Sequence, residues 1–298
     1  MKNMKNMKNI RRVLMAPPVE FKVAHYLQNA HMEMGREVQP NLATKQWTNL
    51  YNILTDKLNV QVILIPPNIG LYDMVFTANG ALIKNNKALI SNFKVPARKL
   101  ETEPFYNFLL NLGYNCKVAK FEFEGQGDAL WSHNNNILWT GHGFRTDPKS
   151  HDEICDFFDL RNNVIFDNYS YTFKENKNIE ATCFPIRLIN PKFYHLDTCL
   201  VPTEHNNEVL FYPKAFTNKG CDRIKEIFKK ENCIEIEDED AHNFACNAIS
   251  FENNLILNKI TTKLKNKLVD RGYNIFENDM SEFLLSGGST KCCILHLN

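Results

Sequence analysis

Four places along the chain set polar or nucleophilic side chains beside turns at the ends of apolar runs: Asp73 and Asn79, Glu124 and Asp128, His195 and Asp197, and Cys292. A cysteine near a base can act as a nucleophile at neutral pH, a histidine can carry protons there, and carboxylates can hold a cation. Each place has a plainer reading when taken alone. An unpaired cysteine is most often a small buried hydrophobe, and a lone histidine is often a satisfied core or surface residue. Glu124-Gly125-Gln126-Gly127-Asp128 reads as a glycine turn with solvated carboxylates. His195 and Asp197 are two apart, so a strand would point both from one face and Leu196 from the other. In the last dozen residues, Gly287 and Gly288 allow a tight turn. Beyond it, alternation places Cys293, Leu295 and Leu297 on a core face and Cys292, Ile294 and His296 on the other, so Cys292 is the thiol that looks into a cleft.

If the four places converge, a thiol, an imidazole and several carboxylates share one pocket. Extra carboxylates repel a thiolate and raise its pKa. They make sense around a cationic substrate. A planar guanidinium presents a fork of donors that carboxylates match in bidentate fashion, and its charge would restore the thiolate, so activation is substrate-assisted. A papain-like cysteine protease fits less well, because the cysteine follows the histidine and has no CGSCW-like context.

The elements that must position these residues alternate along the whole length. RRVLMA stops at Pro17-Pro18; residues from about 43 to 58 show helical periodicity with Trp47, Leu50, Tyr51 and Leu54 on one face; VQVILI leads to the turn Pro66-Pro67-Asn68-Ile69-Gly70. KALISNF, a helix ending at Gly113, CKVAKFEF, NILWTGHGF, a helix carrying His151, Ile154 and Phe157, CFPIRLI, NEVLFY, CIEIED, FACNAI and YNIFE continue the pattern. Units of roughly fifty residues with no Pro-, Gly- or Ser-rich linker imply one α/β domain, a ring of α/β modules or a doubly wound sheet. Neither GxGxxG nor a P-loop is present. MKNMKNMKN reads as a disordered leader (residues 1–10) ahead of a single domain over 11–298, and a polar, aromatic excursion is expected at 168–178.

Composition narrows the classes further. The 298 residues carry a formal net charge of +1 with no basic stripe, which argues against nucleic acid as partner. No run approaches the apolar length of a membrane helix. Nine scattered cysteines without a CxxC pair argue against a disulfide framework and a zinc knuckle, and for a reducing, cytoplasmic setting. The acidic run Glu235–Asp240 lacks the glycine and spacing of a calcium loop and reads as a solvated strand end. Cys246 reads as buried and inert, and the Lys-rich helix near 259–267 as a solvated face.

The ordered strings MAPP, DMVFTANGAL, FEGQGDALW, LWTGHGFRTD, FYHLDTCLVP, DAHNFACNAI and SGGSTKC, spread from about Leu14 to Leu297, resemble the guanidino-group-modifying superfamily. The likeness is nearest to cyanobacterial arginine dihydrolases and to dimethylarginine dimethylaminohydrolase-like proteins. The resemblance implies a five-bladed α/β propeller with pseudo-fivefold repeats around a central channel, and no metal or organic cofactor. It implies Cys292 as nucleophile, His195 as acid and base, and Glu124 and Asp197 on the guanidinium nitrogens. It also implies Asp73, Asn79 and Asn29 as substrate contacts and Arg98 and Arg145 as binders of the substrate carboxylate. The substrate would be a small guanidino cation, hydrolysed through a thiouronium; a homo-oligomer is left open. An amidinotransferase and an arginine-binding relative without turnover are the alternatives, told apart by product analysis with glycine and by ammonia release. Three departures from the family pattern stand out, the first being a stretch between Arg145 and His195 longer than the pattern by about twenty residues. The loop that reads NPWM in dihydrolases is Asn29-Ala30-His31-Met32 here, and Glu124 lies four residues before Asp128 where relatives have three, which a one-residue bulge would absorb.

Overall fold

A computed structural model describes residues 10–23, 29–32, 36–133, 136–162 and 181–297. Nearly all of the expected leader and the whole of the excursion at 168–178 lie outside the described residues.

One connection recurs through the chain: two antiparallel strands, a helix, and a strand that returns parallel to the second of the pair. Strand β1 (Arg12–Met15) leads through α1 (Pro40–Asn52) to β2 (Gln61–Leu64), parallel to β1 with Val13 beside Val62. The hairpin of β3 (Ala81–Lys84) and β4 (Lys87–Ile90) continues through α2 (Thr102–Asn111) to β5 (Asn115–Val118), parallel to β4. Next come β6 (Ala129–Ser132), β7 (Ile137–His142), α3 (Ser150–Phe158), the short β8 (Arg161–Asn162) and β9 (Thr182–Arg187), where β9 lies parallel to β7 and carries β8 on its far side. The fourth unit is β10 (Leu200–Pro202), β11 (Val209–Phe211), α4 (Asn218–Phe228) and β12 (Cys233–Glu235). After α5 (Asp238–His242), β13 (Ile249–Phe251), β14 (Asn254–Leu257), α6 (Thr262–Asp270) and β15 (Asn274–Glu277) form the fifth. Finally α7 (Ser281–Leu284) precedes β16 (Leu295–His296), which pairs antiparallel with β1. The first unit thus takes its missing strand from the last residues of the chain, which anchors the segment that carries Cys292.

Local chemistry accounts for these elements. The hairpin turns place asparagines in the left-handed region, Asn85 at φ 55° and Asn206 and Asn207 at 54° and 51°, a conformation asparagine tolerates better than most residues. Thr217 and Thr261 cap α4 and α6 by accepting from the backbone N–H of Gly220 and Leu264. The strands bury their apolar side chains against the helices: Trp47, Leu50 and Leu54 share a core cluster with Val13, Cys292 and Cys293.

Several sequence expectations change. The C-terminal run is not one continuous strand; Cys292, Cys293 and Ile294 all join the cluster around Val13, and only from Leu295 does the chain pair with β1. The reason is that its backbone is already engaged. The carbonyl of Cys292 accepts from Ala78 N at 3.1 Å and that of Cys293 from Thr77 Oγ1 at 3.0 Å. His195 is extended, but Leu196–Thr198 form a 3₁₀ turn, so His195 and Asp197 do not share a strand face. Gly125–Gly127 are also a 3₁₀ turn between Glu124 and Asp128, and both carboxylates are buried, not solvated. Cys246 is fully buried but sits in a turn after α5, and the acidic run is no plain strand end. Its Asp240 is buried and accepts from Thr261 N and Oγ1 at 2.7 and 2.8 Å.

Candidate active site

Short turns at the ends of strands bring the polar residues together. A pocket of ≈ 280 Å³ is lined by Cys292, His195, Asp73, Asn79, Arg98, Arg145 and Asn29, and also by Phe76, Tyr194, Ser286, Gly287 and Gly288. Glu124 and Asp197 do not line it; they stand behind His195 and Cys292 respectively. Gly287, at φ +74°, adopts a conformation open chiefly to glycine and brings its carbonyl to Tyr194, which donates to it at 2.8 Å.

On one side, Glu124 orders the imidazole. Its Oε2 lies 2.7 Å from His195 Nε2 and 3.1 Å from Arg145 Nη1, and its Oε1 accepts from Lys94 N at 3.2 Å. Burial opposes ionisation of this carboxylate, but Arg145, His195 and Arg98 outweigh it and hold Glu124 well below the usual carboxylate range. Arg145 also stacks over the Tyr194 ring at 4.7 Å. Asp128 braces the same turn: it accepts from Leu196 N at 3.0 Å and from Thr146 Oγ1 at 2.6 Å. Burial raises it to about 6.

On the other side, the Cys292 sulfur touches two groups. Its thiol donates to Asp197 Oδ2 at 3.4 Å, and Asn247 Nδ2 donates to the sulfur at 3.1 Å. Asn247 clamps the cysteine twice, because its Oδ1 also accepts from Cys292 N at 3.2 Å. Burial, reinforced by Asp197, pushes the thiol well above its ordinary value. Burial also raises Asp197 to about 7, against the opposing pull of Lys291, the thiol and Asn247. Among the described residues, Asp197 Oδ1 and Asn79 Nδ2 are buried with no hydrogen-bond partner. A side chain at Gly127 would come within 2.3 Å of Asn79 Nδ2, so glycine there keeps that amide in place.

The third wall belongs to Arg98. Its fork is held by Glu101 at 2.9 and 2.8 Å, and it donates to Asn79 Oδ1 at 2.8 Å and to the Asp73 carbonyl at 3.2 Å. Asn29, also in the lining, donates to the Ser286 carbonyl at 2.9 Å. His31, in the altered loop, reaches the Lys192 carbonyl at 2.7 Å and packs on Phe244.

The pocket therefore combines a buried thiol, an imidazole, the Asp73 carboxylate and two guanidinium groups, with Glu124 and Asp197 behind them, an arrangement that can hold a molecule carrying both charges. Sequence reasoning missed Asn247, Tyr194 and Lys291. Asn247 lay inside a string read as a plain strand, and Lys291 and Tyr194 each stand next to a residue already singled out.

The chain is a mixed α/β fold of five small sheets with a thiol–imidazole pocket backed by carboxylates, and comparison with known proteins gives its family. Residues 20–298 match the N,N dimethylarginine dimethylhydrolase family, eukaryotic form, and the chain belongs to it. The chain is 34% identical over 289 residues to the bifunctional arginine dihydrolase/ornithine cyclodeaminase AgrE of Nostoc sp., covering 96% of this chain and 38% of that protein. It is 32% identical over 288 residues to N(G),N(G)-dimethylarginine dimethylaminohydrolase of Mycobacterium tuberculosis, covering 97% of this chain and 86% of that one. It thus spans well under half the length of the bifunctional relative. Crystal structures of the N-terminal domain of ArgZ, a cyanobacterial arginine dihydrolase, one with substrate and one covalently bound to a reaction intermediate, each superpose with a TM-score of 0.86 at 32% identity, over 97% of this chain and 98% of theirs. No helix among the described residues is long and apolar enough to cross a membrane.

Proposed function

We propose that this chain hydrolyses a guanidino carbon–nitrogen bond in arginine or a close derivative of it, through a covalent thiouronium on Cys292. The guanidinium carbon lies over the Cys292 sulfur, with Asp73 and Asn79 beside its nitrogens and Asp197 behind the sulfur. Arg98, Arg145 and Asn29 face the carboxylate end. The cation offsets Asp197 and draws the thiol toward its ionised form, so the nucleophile is activated by the molecule it attacks. Sulfur adds to the carbon; a carbon–nitrogen bond then breaks as His195 protonates the departing ammonia or alkylamine. His195 next takes a proton from water, the hydroxide adds to the same carbon, and the carbon–sulfur bond breaks to release a ureido product. With arginine as substrate, repetition on that product would release a second ammonia, carbon dioxide and ornithine, the double hydrolysis that the name of the dihydrolase relatives implies for them. Such general acid–base assistance is worth about 10²–10⁴-fold. Glu124, 2.7 Å from Nε2, keeps the imidazole aimed across the pocket.

Single-domain organisation over 11–298 and closure of the five repeated units into a five-bladed α/β propeller around this pocket belong to the same proposal. They are supported by the recurring strand–strand–helix–strand connection and by β16 completing the first unit.

The observation that carries the reading is the Cys292 sulfur held by Asp197 and Asn247 in the pocket that also contains His195. The test is incubation with arginine, dimethylarginine, citrulline and agmatine while following ammonia or amine and the carbon product. Arginine or dimethylarginine should give a ureido product, and agmatine, without a carboxylate, should turn over more slowly. Binding of arginine without amine release would overturn the proposal.

A further inference from the structure

The described residues line a second and larger concavity, an open groove of ≈ 1630 Å³ beside β6, β10 and β13. Its charged lining is Arg11, Arg12 and Lys291 against a single carboxylate, Glu204, with the imidazoles of His133 and His296 nearby. Lys84 adds a further cation at the Trp131 wall, stacked 4.4 Å over that ring. In a chain of formal net charge +1, this is a local concentration of positive charge.

Two of its cations are incompletely met by the protein. Lys291 is 7% exposed, and among the described residues its ammonium reaches Gln126 Oε1 and the Ile294 carbonyl, each at 3.4 Å. Burying an ammonium is costly without close acceptors. Arg11 gives Nη2 to Glu204 at 2.5 Å, while its Nη1 is buried with no hydrogen-bond partner among the described residues. His296 stands under the influence of both: burial, then Lys291 and Arg11, oppose its protonation, so it enters as a neutral ring.

We infer that this groove binds a small polyanion through its carboxylate or phosphate oxygens, with Lys291 and Arg11 as ligands and His296 beside them. The site has a consequence for the catalytic pocket. Lys291 is joined directly to the nucleophile Cys292, whose sulfur meets Asp197 at 3.4 Å, and its ammonium favours the charged forms of both while opposing protonation of His296. An anion on Lys291 cancels the cation that favours ionised Asp197 and thiolate, so an occupied groove slows turnover, less so as pH rises. This regulatory part rests on the hydrolase proposal; the binding itself does not.

The test is titration calorimetry of the full chain with citrate and, separately, inorganic phosphate at fixed ionic strength and pH 7. Saturable binding of at least one is expected, weakened at least tenfold in both Arg11→Gln and His296→Gln, and the stronger of the two names the oxygen class. Citrate or phosphate should also lower kcat for arginine in the wild type but not in these variants, whose turnover without anion stays near normal. Binding of neither probe, or binding that survives both substitutions, overturns the site. Inhibition relieved by saturating arginine overturns the coupling. Loss of arginine turnover as an activity, with probe binding intact, would remove the hydrolase reading and leave the groove standing.

Discussion

The two sides of the pocket treat their carboxylates in opposite ways. Glu124 is fully buried, yet it meets Arg145, His195 and a backbone N–H, and its charge is held well below the usual range. Asp197 is equally buried but meets a thiol at 3.4 Å and keeps one oxygen without a partner, and burial raises it to about 7. One side is a finished ion-pair network that positions an imidazole. The other is an electrostatic deficit that a cation corrects. The difference teaches where binding free energy is to act: the site is built rigid around the proton carrier and incomplete around the nucleophile, so the thiolate forms when the right charge arrives.

The largest effect in breaking this comparison is expected from Cys292→Ser, which should lower turnover by on the order of 10⁴-fold or more. Cys293→Ser, whose side chain lies in the core and is fully buried, should leave most turnover and cost about 1–3 kcal/mol of stability. Steady-state rates and denaturant melts separate the two. His195→Ala should lower turnover by about 10²–10⁴-fold and let covalent enzyme accumulate, seen by mass spectrometry of quenched reactions.

Replacing each acid by its amide then sharpens the contrast, because the stability effects should have opposite signs. Glu124→Gln removes the buried carboxylate that meets Arg145 at 3.1 Å and should cost about 3–5 kcal/mol. Since the folded value of Glu124 is depressed, its contribution is present at neutral pH and is lost as pH falls through the folded value, so the wild-type advantage should shrink in acid melts. Asp197 has a raised folded value. The folded state holds the proton longer than the unfolded one, and stability falls as pH climbs from the ordinary carboxylate range toward 7. Asp197→Asn should therefore be more stable than wild type at pH 8 by about 1–3 kcal/mol while turning over far more slowly. Equal signs for the two amides would break the comparison.

Much of this contrast was legible before any coordinates, but unevenly. Chemistry-bearing types next to glycines and strand ends marked Asp73, Glu124, His195 and Cys292 as a set, although each alone has a plainer reading. Alternation and helical periodicity located most strands and helices, since those signals are local. What escaped was set by contacts across the chain. Nothing near Asn247 tells it from any amide in an apolar string; its partner Cys292 is 45 residues away. The three-residue turn at Leu196–Thr198 is too short to show a period, so the divergence of His195 and Asp197 was invisible. The pairing of β16 with β1 rests on two residues, and its register follows from the Thr77 and Ala78 bonds that hold the preceding turn. Whether Glu124 or Asp197 would be the satisfied acid depended on which of them met Arg145, and a sequence does not say that.

The most direct test of the central claim is rapid quenching of the enzyme with arginine, followed by peptide sequencing in the mass spectrometer. The account predicts an amidino-type adduct on Cys292 that forms and decays with turnover, persists in His195→Ala and is absent in Cys292→Ser. Turnover without any covalent adduct, or an adduct carried by Cys293, would contradict it.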